Sequence, residues 1–122
     1  MRVLVTRPEP DGERTAAKLR ARGCEVMLAP LLRIEPVAAD IDGAWHVVAV
    51  TSINALRAIK NHTGLERLLA TPAYAVGGRS ADAALAQGFA DVISADGDVG
   101  DLARVMKIHL RPGARVLYLA GD

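Results

Sequence analysis

Short apolar runs alternate with amphipathic stretches along these 122 residues, and the pattern predicts an α/β fold with parallel sheets and helices on their faces. Three features point there. Six strand-like runs are interleaved with four clear helix patterns. The best run, Val47 to Val50, is apolar at every position, as suits a strand buried on both faces. Gly, Pro, Ser or Asp punctuates nearly every junction.

Arg2 to Thr6 (RVLVT) reads as the first strand, stopped by Pro8 and Pro10. Asp11 is placed to cap a helix to about Arg22, with Ala16, Leu19 and Gly23 on one side and Gly23 as its stop. Glu25 to Ala29 (EVMLA) is the second strand, ended by Pro30. LLRIEPV, residues 31 to 37, is extended in character, and the polar AADIDG that follows has room for one helical turn. Then VVAVTSINAL, residues 47 to 56, gives a strand, a hydroxyl-rich turn and a helix start, with Ser52 as the expected cap. Ile53, Leu56 and Ile59 recur at helical spacing. Leu65 to Leu69 is a short helical piece after the Asn61 to Gly64 breaker. Ala73 to Val76 is a strand, and Ser80 is placed to cap a helix carrying Ala81, Ala84, Leu85 and Gly88 on one face. Asp91 to Ser94 is a strand, and Asp101 opens a helix with Leu102, Val105, Met106 and His109 together. Arg115 to Leu119 (RVLYL) is the last strand, ending where a further turn and helix are expected, so the sequence reads as a piece of something longer.

Composition excludes several classes. Fifteen Lys and Arg against fourteen Asp and Glu leave a formal charge of +1, so no global field recruits nucleic acid or an anionic membrane. At 3% aromatic residues there is no base-stacking platform. No apolar stretch approaches the ~20 residues that cross a bilayer, and the amino terminus lacks a signal peptide's long apolar segment. A cytoplasmic protein is the expectation. Cys24 is the single cysteine, so no internal disulfide forms, and burial beside Gly23 is its expected fate.

Metal and nucleotide signatures fail on inspection. ADGDVGD, residues 95 to 101, resembles a calcium loop, but counting from Asp96 puts Asp101 at the sixth position and Lys107 at the twelfth, where Gly and Glu belong. His46, His62 and His109 lie on separate elements without ligand spacing. No G-x-G-x-x-G follows a strand and no Gly-Lys-Ser/Thr closes a phosphate loop. What remains is three strand ends: Thr6-Arg7-Pro8, Thr51-Ser52-Ile53-Asn54 and Val76-Gly77-Gly78-Arg79-Ser80. Small hydroxyls and glycines at helix starts suit carboxylate or phosphate. The same residues also serve as plain caps and turns. Tyr74 and Tyr118 fall within strands, where packing with the phenol reaching a partner is expected.

In these turns the chain resembles uroporphyrinogen-III synthase. The segments are VLVTRPEPDGERTAAKLRARGCEVMLAPLLRIEP, AVTSINALRAI, AYAVGGRSADAALAQG and RVLYLAGD, in that order. The resemblance implies a bilobal fold of two parallel α/β lobes, each flavodoxin-like in outline, and incomplete here. Residues 1–33 would be the amino-terminal piece of a discontinuous first domain, 34–122 most of the second, and Leu32 to Glu35 one of two linker strands. It implies cyclisation of hydroxymethylbilane, a linear tetrapyrrole with eight carboxylates, to uroporphyrinogen III with inversion of the last ring. No metal or organic cofactor is implied, and the full-length form is expected to be a monomer. Thr6, Arg7, Thr51, Ser52, Asn54, Gly77, Ser80 and Ala81 match the family's cleft positions, with Asn54 standing where other members have Arg. The tyrosine proposed to assist departure of the substrate hydroxyl lies beyond Asp122, and neither Tyr74 nor Tyr118 matches it. The resemblance also puts Thr6, Ser52 and Ser80 on a common gap between lobes, with the present chain inactive alone. A non-catalytic α/β anion-binding module is the alternative.

Overall fold

A computed structural model of the chain describes residues 1–37 and 40–120. The chain divides into two compact units, Met1–Glu35 and Pro36–Asp122. In order the elements are β1 (Arg2–Val5), α1 (Asp11–Arg20), β2 (Glu25–Leu28), β3 (Val47–Val50), α2 (Ile53–Ala58), α3 (Leu65–Leu69), β4 (Ala73–Ala75), α4 (Gly78–Gln87), β5 (Val92–Ser94), α5 (Val99–His109) and β6 (Val116–Leu119). Every strand pairing is parallel, so the fold is α/β with helix-flanked parallel sheets, as the alternation predicts.

In the first unit β1 and β2 pair from Arg2–Glu25 to Val5–Leu28, with α1 connecting them. Gly12 allows the close approach of α1 to the preceding loop, since a Cβ there would sit 2.7 Å from the Arg7 carbonyl oxygen. Pro10, not Asp11, holds the cap position, and the Glu9 carboxylate accepts from the Glu13 N–H of the first turn at 3.3 Å. Asp11 is instead the first helical residue, with its carboxylate 4.0 Å from Arg7 and 3.8 Å from Arg14. α1 stops at Arg20, two residues short of the expected end, and Gly23 at φ 84° turns the chain. There the Gly23 N–H donates to the Arg20 carbonyl and the Cys24 N–H to that of Leu19. Val5 and Ala16 are the buried apolar side chains of this unit among the described residues. With so small an interior, Cys24 is half-buried rather than enclosed. The expected strand over Leu32 to Glu35 is absent: the segment finds no partner strand among the described residues, and Leu31, Leu32 and Ile34 stay exposed. Asp40 to Gly43 forms no helical turn, and Ala38 and Ala39 lie outside the described residues.

The second unit has a four-stranded sheet in the order β5-β4-β3-β6. β3 is central and all four of its residues are buried, which explains a run with no polar alternation. On one face Val48 and Val50 meet Leu56 and Ile59 after the β3 turn, Leu68 of α3, Ala84 of α4, and Phe89. Burying side chains of this size contributes about 1.5–3 kcal/mol each. On the other face Val47, Ala49 and Tyr74 pack with Leu102 of α5, joined by half-buried Val105 and Met106. Two expected helix starts shift. α4 begins at Gly78 with Gly77 at the cap, so Ser80 is its third residue and buried, not its cap. α5 begins at Val99, capped by Asp98, with Asp101 closing the reciprocal pair of hydrogen bonds three residues on. Leu85, expected in the core, is 53% exposed, because α4 packs through the smaller Ser80, Ala81 and Ala84.

Candidate functional site

β3 and β4 are parallel neighbours, so the turns that leave them are neighbours at the carboxyl edge of one sheet. Val50 pairs with Ala75, and the Val76 N–H donates to the Val50 carbonyl at 3.1 Å. In such sheets this edge is where ligands are held. The β3 turn carries three polar side chains. Thr51 Oγ1 lies 3.0 Å from the Tyr118 phenol oxygen, joining β3 to β6. Ser52 occupies the cap position of α2 with extended backbone (φ −137°, ψ 130°), yet its hydroxyl makes no capping hydrogen bond. Asn54 Oδ1 accepts from Arg57 Nη1 at 2.8 Å, one helical turn on. A guanidinium therefore stands beside Asn54.

The β4 turn is built from backbone. Gly77 is extended at the cap of α4, Gly78 follows, and the Ala81 N–H donates to the Gly77 carbonyl at 2.9 Å. Its cap residue, Gly77, has no side chain to offer the first-turn N–H groups. A Cβ added at Gly77 or Gly78 would meet no atom within 4 Å, so the main chain there is open to approach. Ser80 and Ala81 are buried behind it.

Thr6 and Arg7 belong to the first unit. Thr6 is exposed after β1, and its carbonyl accepts from the Leu31 N–H at 3.3 Å. Arg7 Nη1 donates to Thr15 Oγ1 at 2.8 Å, which lays the guanidinium along α1.

The groups around β5 have structural duties. Ser94 Oγ donates to Asp96 Oδ1 at 2.7 Å. Asp98 accepts from the Asp101 N–H at 3.0 Å, and Asp101 from the Asp98 N–H at 2.9 Å. That backbone hydrogen bond, helped by Arg104, holds the Asp101 carboxyl below its usual range. No group of three or more His, Cys, Asp or Glu with metal-holding geometry occurs among the described residues. His46 Nδ1 accepts from the Arg115 N–H at 2.8 Å, His62 Nδ1 from the Gly64 N–H at 2.9 Å, and His109 Nδ1 lies 3.1 Å from the Tyr74 phenol. Burial, and secondarily the charge of Asp91, raises the Tyr74 pKa above its ordinary value. A hollow of ≈ 190 Å³ lined by Asp42, Trp45, Gly64, Arg67 and Thr71 belongs to the segments that lead into β3 and β4, away from the hydroxyl turns.

The family described as uroporphyrinogen-III synthase HemD matches residues 13–122. The chain belongs to this family. No curated protein matches it. Membership supports a uroporphyrinogen-III synthase-like role in tetrapyrrole biosynthesis. The stretch matched to uroporphyrinogen-III synthase takes in the β3 and β4 turns, whereas Thr6 and Arg7 precede it. No helix of the described residues is long and apolar enough to cross a membrane.

Arg57 and the identity of Tyr118's partner at this sheet edge escaped the sequence reading. Arg57 had a usable signal, its i,i+3 spacing from Asn54 on a helix. Tyr118 had none nearby, since it reaches Thr51 across 67 residues and only through the register that sets β6 beside β3.

Proposed function

We propose that the chain is the amino-terminal part of a uroporphyrinogen-III synthase that closes hydroxymethylbilane to uroporphyrinogen III. The substrate hydroxyl departs as water with one added proton, leaving an electrophilic azafulvene. The substituted carbon of the last ring attacks it to give a spiro intermediate. A bond of that intermediate breaks, the freed ring turns over, and closure at its other side with loss of a proton gives the inverted macrocycle. Unaided closure yields the uninverted isomer, so the protein's work is to hold one conformation.

The supporting observation is the adjacency of two differently built polar turns at one sheet edge: the Gly77-Gly78 start of α4 beside Thr51, Ser52 and Asn54. Backbone N–H groups and small hydroxyls grip carboxylates without a fixed side-chain charge. In this reading Gly77, Ser80 and Ala81 seat one carboxylate arm and Thr51, Ser52 and Asn54 another, and Thr6 and Arg7 are substrate-binding residues of the first unit. Residues 1–33 then belong to one α/β domain and residues 34–122 to a second, and no residue of this chain is assigned as the acid that releases the hydroxyl. The assembled enzyme is a cytoplasmic monomer that needs no cofactor.

An assay of product isomers tests the fragment reading, with no uroporphyrinogen III expected above the spontaneous background from the 122-residue chain alone. Formation well above background overturns it. The open glycine start of α4 also suits a simple anion-binding module. Titration with inorganic phosphate separates the two, since tight phosphate binding by the isolated chain favours the module.

A further inference from the structure

Ala49, at the centre of the second unit's sheet, has a tyrosine on either side. β4 places Tyr74 opposite it and β6 places Tyr118, so the two rings leave the same face of the sheet. Their surroundings differ. Tyr74 is 5% exposed and packs with Leu102 of α5, whereas Tyr118 is 56% exposed.

Despite that exposure, the Tyr118 phenol has a defined partner in Thr51 Oγ1, 3.0 Å away. Thr51 lies two residues beyond Ala49 on the same side of the pleat, so the ring leans along the strand toward the carboxyl edge. Water competes for both hydroxyls, so the bond adds little to folding stability. Its consequence is positional: it fixes an otherwise mobile ring at the rim, beside Ser52. The pair shares two hydroxyl protons. One lies between the oxygens, and the other is left to donate to an outside acceptor. The acidic turn of Ser94 and Asp96 follows β5, at the opposite end of the strand order from β6.

We infer that Tyr118, held by Thr51, is a substrate-contacting residue whose phenol positions a carboxylate arm of the linear tetrapyrrole at the β3–β6 side of the sheet's carboxyl edge. This rests on the function proposed above. It adds a contact from β6, a strand in which no site residue was expected.

The test is titration of the full 122-residue chain with uroporphyrin, an octacarboxylate tetrapyrrole, followed by its fluorescence. Tyr118→Phe should weaken binding about tenfold, the loss of one hydrogen bond to a charged group. It should leave the unfolding midpoint unchanged, which a purely structural tyrosine would shift. Thr51→Val should weaken binding similarly, and the double variant should lose less than the product of the two single losses, because the hydroxyls act as a pair. Unchanged affinity in Tyr118→Phe, with weaker binding in Ser52→Ala, overturns this inference and leaves the proposed function standing. Strictly multiplicative losses overturn the pairing. Failure of the unaltered chain to bind uroporphyrin at all overturns this inference, which needs the β3–β6 edge to hold a tetrapyrrole by itself, and leaves the fragment reading of the proposed function standing.

Discussion

The two units are made of similar sequence and have dissimilar interiors. RVLV of β1 and VVAV of β3 are both short apolar strands in parallel pairs, each followed by a turn and a helix. β3 has a strand on each side and helices over both faces, and all of it is buried. β1 has one neighbour, β2, and Leu4 and Met27 remain 58% and 61% exposed. A hollow of ≈ 330 Å³ lies along that open face, lined by Arg2, Val3, Leu4, Glu25, Val26 and Met27. Two strands and one helix are near the lower limit for independent stability, whereas four strands with helices on both faces are not. The difference teaches that strand-forming composition and a strand's share of the core are separate properties.

The contrast can be broken most directly by cutting into each interior. Leu56→Ala, in the second unit's core, should cost about 2–5 kcal/mol in denaturant unfolding. Val5→Ala should cost about 1–2 kcal/mol, the transfer value of the lost methyls with little cavity around them. Equal costs would mean the first unit is as well packed as the second. Hydrogen exchange sharpens the same point without mutation. Amides of β3 and β4 should exchange near the global unfolding limit, and those of β1 and β2 faster, through local opening.

A smaller effect separates buried from exposed hydroxyls. Tyr74→Phe should cost about 1 kcal/mol by removing the bond to His109. The folded chain also holds the Tyr74 proton more tightly than the unfolded chain does. That contribution is complete below the unfolded phenol's pKa, about 10, and is lost as pH rises through the raised folded value. Stability measured above about pH 10 should therefore fall less steeply in Tyr74→Phe.

The smallest effect concerns caps. Asp98→Ala should cost about 1 kcal/mol, the ordinary value of a working cap. Ser52→Ala should cost under ~0.5 kcal/mol, because its hydroxyl bonds to no helix N–H. A larger loss at Ser52 would return that residue to plain structural duty.

Legibility in the sequence followed the range of the interaction. All six strands were readable, because an apolar run between breakers is local information. Helix starts were read two or three residues late at Ser80 and Asp101, since caps and first turns recruit the same small polar residues. The linker strand that the resemblance implied over Leu32 to Glu35 is not formed, since a strand needs a pairing partner and none of the described residues supplies one. At the candidate site, the neighbouring β3 and β4 turns followed from parallel order. The Thr51–Tyr118 contact did not, because it depends on which strand lies on the far side of β3.

Trp45 gives this division an experimental edge. It is the single tryptophan, half-buried just before β3, with its indole N–H donating to the Ile41 carbonyl at 3.0 Å and Arg115 5.0 Å from the ring centroid. The first 35 residues contain no Trp, Tyr or Phe. Intrinsic fluorescence and near-ultraviolet dichroism therefore report melting of the second unit and are blind to loosening of the first. A single sharp optical transition says nothing about whether β1 and β2 are still paired when it begins.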